Sequence, residues 1–290
     1  MSWQTVEVDP TQVESFGPQY PFAYWLNGKP QMKQTGGVLY TGGWFMPVDN
    51  LDTGLLNEEG LPGPGWDHGE MVFESGNDQA GFFAKNIHIA MLVSRRRWIV
   101  NGVDGGFAWD DYKGAKASSG ANSPRGHMQI LGLIKGAEQF GPVFLSAKGM
   151  TTKGITNDVF GAFNQNIIAE AANLRSGNRP PFFMFWMSIG PRMKTKDTPD
   201  FTVVGSGART STITLPCLAG VDGKADADAL NKRYVGGELY ARLAELRNSA
   251  DVVTWEKAWD GSTTKTEPEP SVSPGWPEDL PPLDEDEMPF

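Results

Sequence analysis

The sequence predicts a mostly β body with packed helices, an α+β chain, followed by a disordered acidic C-terminal tail. Three observations carry this. Short apolar runs alternate with turn residues over the first 260 positions, two longer segments have helical spacing, and the last thirty residues lose both periods to Pro, Ser, Thr and acids.

Taken in order, the apolar runs at 37–46, 81–93, 97–100, 128–134, 143–147, 182–189, 201–204 and 210–215 are short, rich in β-branched and aromatic residues, and mostly bounded by Gly or Pro. These are expected strands. Val159, Phe160, Phe163, Ile167, Ile168, Ala171 and Leu174 recur at three and four residues, so one helix face there is apolar. Leu230, Leu239, Leu243 and Leu246 repeat the pattern and predict a second helix. Strands with one interior and one C-terminal helix suit an elaborated OB-fold-like barrel, whose curved face commonly carries single strands. The body is expected to span 1–260, a Pro-rich linker 261–283, and a separate tip 284–290.

Composition supports a packed body: 39% of the 290 residues are hydrophobic and 11% aromatic, enough to bury a core. The N-terminal stretch MSWQTVEVDP lacks a signal-like apolar run, and no segment nears the roughly 18 apolar residues of a membrane span. A cytoplasmic protein without membrane contact is expected. The single cysteine, Cys217, excludes an internal disulfide and reads as a structural thiol.

The formal net charge of −10 argues against nucleic acid until its distribution is considered. Residues 261–290 hold eight of the 35 acids and one of the 25 bases, a net of −7, leaving 27 acids against 24 bases in the body. Most of the excess negative charge is therefore in the tail. Its Pro-dense linker favours extended chain at about 3 Å per residue, a reach of roughly 60 to 70 Å.

At the C-terminus Asp284, Glu285, Asp286 and Glu287 repel one another and precede Met288, Pro289 and Phe290. Pro289 presents the terminal ring and the α-carboxylate together, an end that can bury one ring in a pocket while a basic rim meets the acids. This DEDEMPF end resembles the acidic tip of bacterial single-stranded-DNA-binding proteins, and several phage single-strand binders also end in acids and Phe. Met288 stands where Ile is more usual. The resemblance covers about seven residues and the style of the linker. It implies a single-stranded-DNA-binding protein, phage- or plasmid-encoded and acting in the bacterial cytoplasm, whose tip recruits replication, recombination and repair enzymes.

Strand binding needs cations for phosphates and aromatic faces for bases. The body offers Arg192, Lys194 and Lys196 at spacing two, just after Phe183, and Arg95 and Arg97 ahead of Trp98. Lys148 and Lys153 flank a short loop, and Tyr40 and Trp44 share one face of an expected strand. Aromatics in strands are more often core, and adjacent arginines point to opposite faces, so only some of Arg95, Arg96 and Arg97 can meet one ligand.

Other chemistry is thin. No phosphate-binding loop is present, Gly205 to Arg209 reads as a strand-to-strand turn, and His68, His88 and His127 lack metal-ligand spacing. Asp67, His68 and Glu70 read as solvated loop residues, and Asp104, Asp110 and Asp111 as exposed acids rather than a two-metal centre. A non-enzymatic role without cofactor or metal is expected. The alternatives are a strand-annealing recombinase, for which homo-oligomeric rings would be apt, and a phage scaffold protein that does not bind DNA.

Overall fold

The computed structural model describes residues 20–26, 42–72, 78–100, 106–119, 123–195, 198–204, 211–221 and 223–257. Tyr40, Asp104, Lys196, the linker and the tip lie outside the described residues. Twelve strands are described: β1 (Phe22–Leu26), β2 (Gly43–Pro47), β3 (Asp67–Val72), β4 (Asp78–Ala84), β5 (Ile87–Ile99), β6 (Phe107–Ala108), β7 (Arg125–Ile134), β8 (Val143–Lys148), β9 (Met187–Pro191), β10 (Phe201–Val204), β11 (Ser211–Thr214) and β12 (Pro216–Leu218). Ten of them form one sheet in the order β12-β9-β5-β7-β8-β1-β2-β4-β3, with β6 beside β5, while β10 and β11 pair separately. All pairings are antiparallel except β1 with β8.

One face of this sheet wraps a continuous helical run. It follows the short α1 (Tyr112–Ser118) in the chain, opens with α2 (Met150–Gly154), passes through π-helical turns at Ile155–Gly161 and Asn164–Ile168, and ends as α3 (Ala169–Leu174). Ile155, Val159, Phe160, Phe163, Ile167, Ile168 and Ala171 are buried against Trp25, Trp44, Met46, Ile89, Met128, Ile130 and Leu145 of the sheet. The apolar stripe read from the sequence is this contact, except that Leu174, in the last turn, is 65% exposed. The sheet curls round the helix so far that indole nitrogens cross the interior, Trp44 donating to the Ile189 carbonyl at 3.3 Å and Trp25 to the Thr214 carbonyl at 2.9 Å.

The expected barrel is corrected here: the described strands form an open curled sheet whose outer strands β12 and β3 do not pair. A five-stranded barrel can be filled by its own side chains. Ten strands around a helix enclose more than that, and the helix fills the concave side.

The convex face is covered along part of its length by α5 (Gly237–Arg247) and α6 (Ala250–Lys257). Leu243, Val252 and Trp255 pack there on Ala90, Leu92, Val93, Leu131, Leu133 and Trp186. The leucines expected on one helix are divided. Leu230, on α4 (Ala227–Arg233), joins the concave core and Leu243 the convex one, because the chain is extended at Tyr234 and turns at Gly236 (φ +93) between them.

One irregularity in β5 governs the convex surface. Met91 pairs with Gly132 but Val93 pairs with Leu131, so Leu92 is an extra residue and the strand changes phase there. Ile87, Ile89 and Met91 face the helix, whereas beyond the bulge Val93, Arg95 and Arg97 face outward. Gly132 permits this approach, since a Cβ there would lie 2.4 Å from the Ala90 carbonyl oxygen.

Candidate nucleic-acid interface

Alternation places side chains of four neighbouring strands in rows on the convex face. β8 shows it plainly: Val143, Leu145 and Ala147 point into the concave core, while Phe144, Ser146 and Lys148 point outward with growing exposure. Register then aligns the neighbours. Leu131, Phe144 and Phe22 form an apolar row, Arg95, Gln129, Ser146 and Tyr24 a polar row, and Arg97, His127 and Lys148 a cationic row. Rows are two residues apart along the strands, about 7 Å.

The aromatic side is continuous. The Phe22 and Phe144 rings stack at 5.5 Å with planes 22° apart and Phe22 and Tyr24 at 6.4 Å, while Tyr24 meets Phe45 at 5.5 Å with planes tilted by 53°. Phe22, Tyr24 and Phe144 are each half-buried, so their rings retain area for a ligand. The Tyr24 hydroxyl donates to Gln79 Oε1 at 3.1 Å, and burial pushes its pKa up to about 12, which keeps it neutral. Between the rings and the cations lies a cleft of about 360 Å³, floored by Gln129, Ser146 and His127.

The cationic side is built around a neutral histidine. His127 is 6% exposed and its Nε2 lies 2.9 Å from Ser146 Oγ. Burial, then the charges of Lys148, Arg97 and Arg95, push its pKa down to about 3. The positive potential of this side thus comes from Arg97 and Lys148 in the row and from Arg95 in the row beside it. Lys148 is the exposed member. Arg95 is largely committed to structure: its Nε and Nη2 donate to Gln129 Oε1, Nη1 donates to the Trp255 carbonyl, and its guanidinium lies 3.6 Å above the Trp255 ring.

Of the described residues the sequence offered, Arg95, Arg97 and Lys148 come together on this face, and the other described ones do not. Trp44 is wholly buried in the concave core and edge-on to Trp25, so it is a core residue with no ring face for a base. Trp98 lies on the opposite face from Arg97, stacked on Trp109 at 4.3 Å, with Arg96 over the Trp109 ring. Phe183 packs on Tyr240 of α5. Arg192 pairs with Asp158 of the central helix, Lys194 is exposed in the turn after β9, and Lys153 is exposed on α2. Sequence spacing grouped Arg192 with Phe183, but the turn at Phe182–Met184 and the strand that follows separate them.

Phe22, Tyr24, Gln129, Phe144 and Ser146 escaped the sequence reading. Their signal was period two, in Phe22-Ala23-Tyr24, His127-Met128-Gln129 and Phe144-Leu145-Ser146-Ala147-Lys148. Nothing local shows that β1 lies parallel beside β8.

A second, more polar cleft of about 550 Å³ lies beside α4, where His88, Lys135 and Arg233 meet Asp226 and Asp228. Arg233 is spent there on the carbonyls of Trp186, Ala219 and Gly220 and on Ser188 Oγ, and the aspartates offset the cations. Among the described residues no group of three or more His, Cys, Asp or Glu could hold a metal ion, and no helix is long and apolar enough to cross a membrane. No family model, curated protein or solved structure matches the chain.

Proposed function

We propose that this chain is a single-stranded-DNA-binding protein that lays a strand across the convex face, bases on the Phe22, Tyr24 and Phe144 rings and phosphates along Arg97 and Lys148. One observation carries the reading: the half-buried rings of Phe22, Tyr24 and Phe144 share one face of the sheet with Arg97 and Lys148, Tyr24 one row and Phe22 and Phe144 two rows from these cations, with α6 meeting this face at Arg95 and Phe144. Stacking needs unpaired bases, and every base has a π face, so such a surface favours single strands over duplex with little overall sequence preference. We read the curled sheet as an opened, enlarged counterpart of the OB-like platform, and the acidic tip at Asp284–Phe290 as the element that recruits replication and recombination enzymes in the bacterial cytoplasm. Catalysis has no part in this reading.

The test is a titration with labelled oligo-dT and with duplex of equal length. Oligo-dT should bind far more tightly. Phe22→Leu with Tyr24→Leu keeps apolar bulk but removes two ring faces, and should weaken binding by about 1 to 3 kcal/mol per base unstacked. Deleting 284–290 should leave strand binding at least as strong while abolishing capture of replication proteins. Equal affinity for duplex, or full affinity in the double variant, would overturn the proposal.

A further inference from the structure

The floor of the cleft holds an amide whose orientation is dictated by its neighbour. Gln129 is 9% exposed, and its Oε1 accepts from Arg95 Nε at 2.9 Å and Nη2 at 2.7 Å. A guanidinium has donors only, so the oxygen must face it and the amide cannot turn over. The Nε2 group is therefore directed away from Arg95, and it makes no hydrogen bond among the described residues although the side chain lines the cleft. This NH₂ has no protein partner and is not sealed from solvent, so it can donate to a ligand that brings an acceptor into the cleft.

The charged group on the rim has the same polarity. Lys148 can only donate, and the hydroxyl of Ser146 lies 2.9 Å from His127 Nε2. An exocyclic carbonyl entering this cleft finds donors, whereas an exocyclic amine meets another NH₂ and a cation. The rings of Phe22, Tyr24 and Phe144 supply the stacking wall that would orient a planar base edge-first toward the floor.

We infer that the cleft seats one unpaired base of the bound strand and that Gln129, held by Arg95, is a specificity-determining residue favouring pyrimidines with a carbonyl at C4, as in thymine, over those with an amine there, as in cytosine. This rests on the strand-binding reading of the same face and adds a reader to it. Arg95 is a positioning residue in this arrangement, acting through the amide it holds.

The experiment compares oligo-dT with an oligomer of 5-methyl-deoxycytidine, which keeps the ring, the C5 methyl and the C2 carbonyl and differs at C4, an amine for the carbonyl, and at N3, an acceptor for the N–H, so that it stacks on the rings in much the same way. The wild type should bind oligo-dT about two- to tenfold more tightly, the worth of one neutral hydrogen bond. Gln129→Glu keeps an oxygen for Arg95 and turns a second oxygen toward the cleft, so the preference should invert even though the added negative charge weakens both affinities. Gln129→Met should bring the ratio to one. Equal wild-type affinity for the two oligomers, or a preference for oligo-dT that survives in Gln129→Glu, overturns the inference while leaving strand binding in place. Failure to bind either oligomer instead refutes the strand-binding reading, and this inference with it.

Discussion

Replacing Lys148 with alanine isolates the electrostatic part of the proposed interface. Lys148 ends β8 on the convex face, exposed and in line with His127 and Arg97, so its charge is available to a phosphate without serving the core. Each phosphate neutralised on a single strand contributes about 0.7 to the slope of log affinity against log salt. Between roughly 50 and 200 mM salt, loss of one such contact should therefore shrink the fall in affinity by a factor of about 2.6. The melting temperature should barely change, because exposed substitutions of this kind stay within about 0.5 kcal/mol. Lys194→Ala is the matched control, an equally exposed cation in the turn after β9. The assay is fluorescence anisotropy of labelled oligo-dT at four or more salt concentrations for the three proteins. An unchanged slope in Lys148→Ala, or the same change in Lys194→Ala, would show that phosphates do not follow the Arg97–Lys148 row.

Trp44 separates core from surface: Trp44→Ala should cost about 3 to 5 kcal/mol in urea unfolding with unchanged strand affinity for the protein that remains folded. Weakened binding at full stability would place Trp44 in the interface after all. The histidine at the cleft floor predicts a pH dependence. Its folded pKa of about 3 lies below the unfolded value near 6.5, so the unfolded chain binds a proton first as pH falls. Its contribution to stability is complete above about 6.5 and is lost progressively toward 3. The urea midpoint of His127→Gln should thus fall less than that of wild type between about pH 7 and pH 4.5. His88, also held below its ordinary value by burial, Lys135 and Arg233, leaves a residual dependence in the variant. Parallel curves would refute this account of His127.

How much of this was legible beforehand follows from the range of the forces involved. Period and composition act locally. They located the strands at 128–134 and 143–147 and the helix through 159–174, and they assigned most of the net negative charge to the last thirty residues. Where one face is buried, alternation alone decides which side chains leave the core, so Phe144, Ser146 and Lys148 could have been recognised as one surface from β8 by itself.

What remained hidden depends on contacts between residues far apart in the chain. The run from Arg95 to Trp98 alternates whatever its phase, and only the pairing of β5 with β7, one residue out of step at Leu92 opposite Gly132, turned Arg95 and Arg97 outward and Arg96 and Trp98 inward. Trp44 has the same alternation as a surface aromatic, yet the curl of the sheet around the helix closed over it. Phe22 and Tyr24 acquired meaning when β1 settled parallel to β8, more than a hundred residues later in the chain. The sequence by itself determined many of the strands, though not β1, β3 or β12, together with the helix stripe and the division of charge, because these are properties of neighbours along the chain. Which residues share a surface was decided by the tertiary structure, because strand order, register and a single inserted residue set the phase of every side chain relative to strands that are distant in sequence.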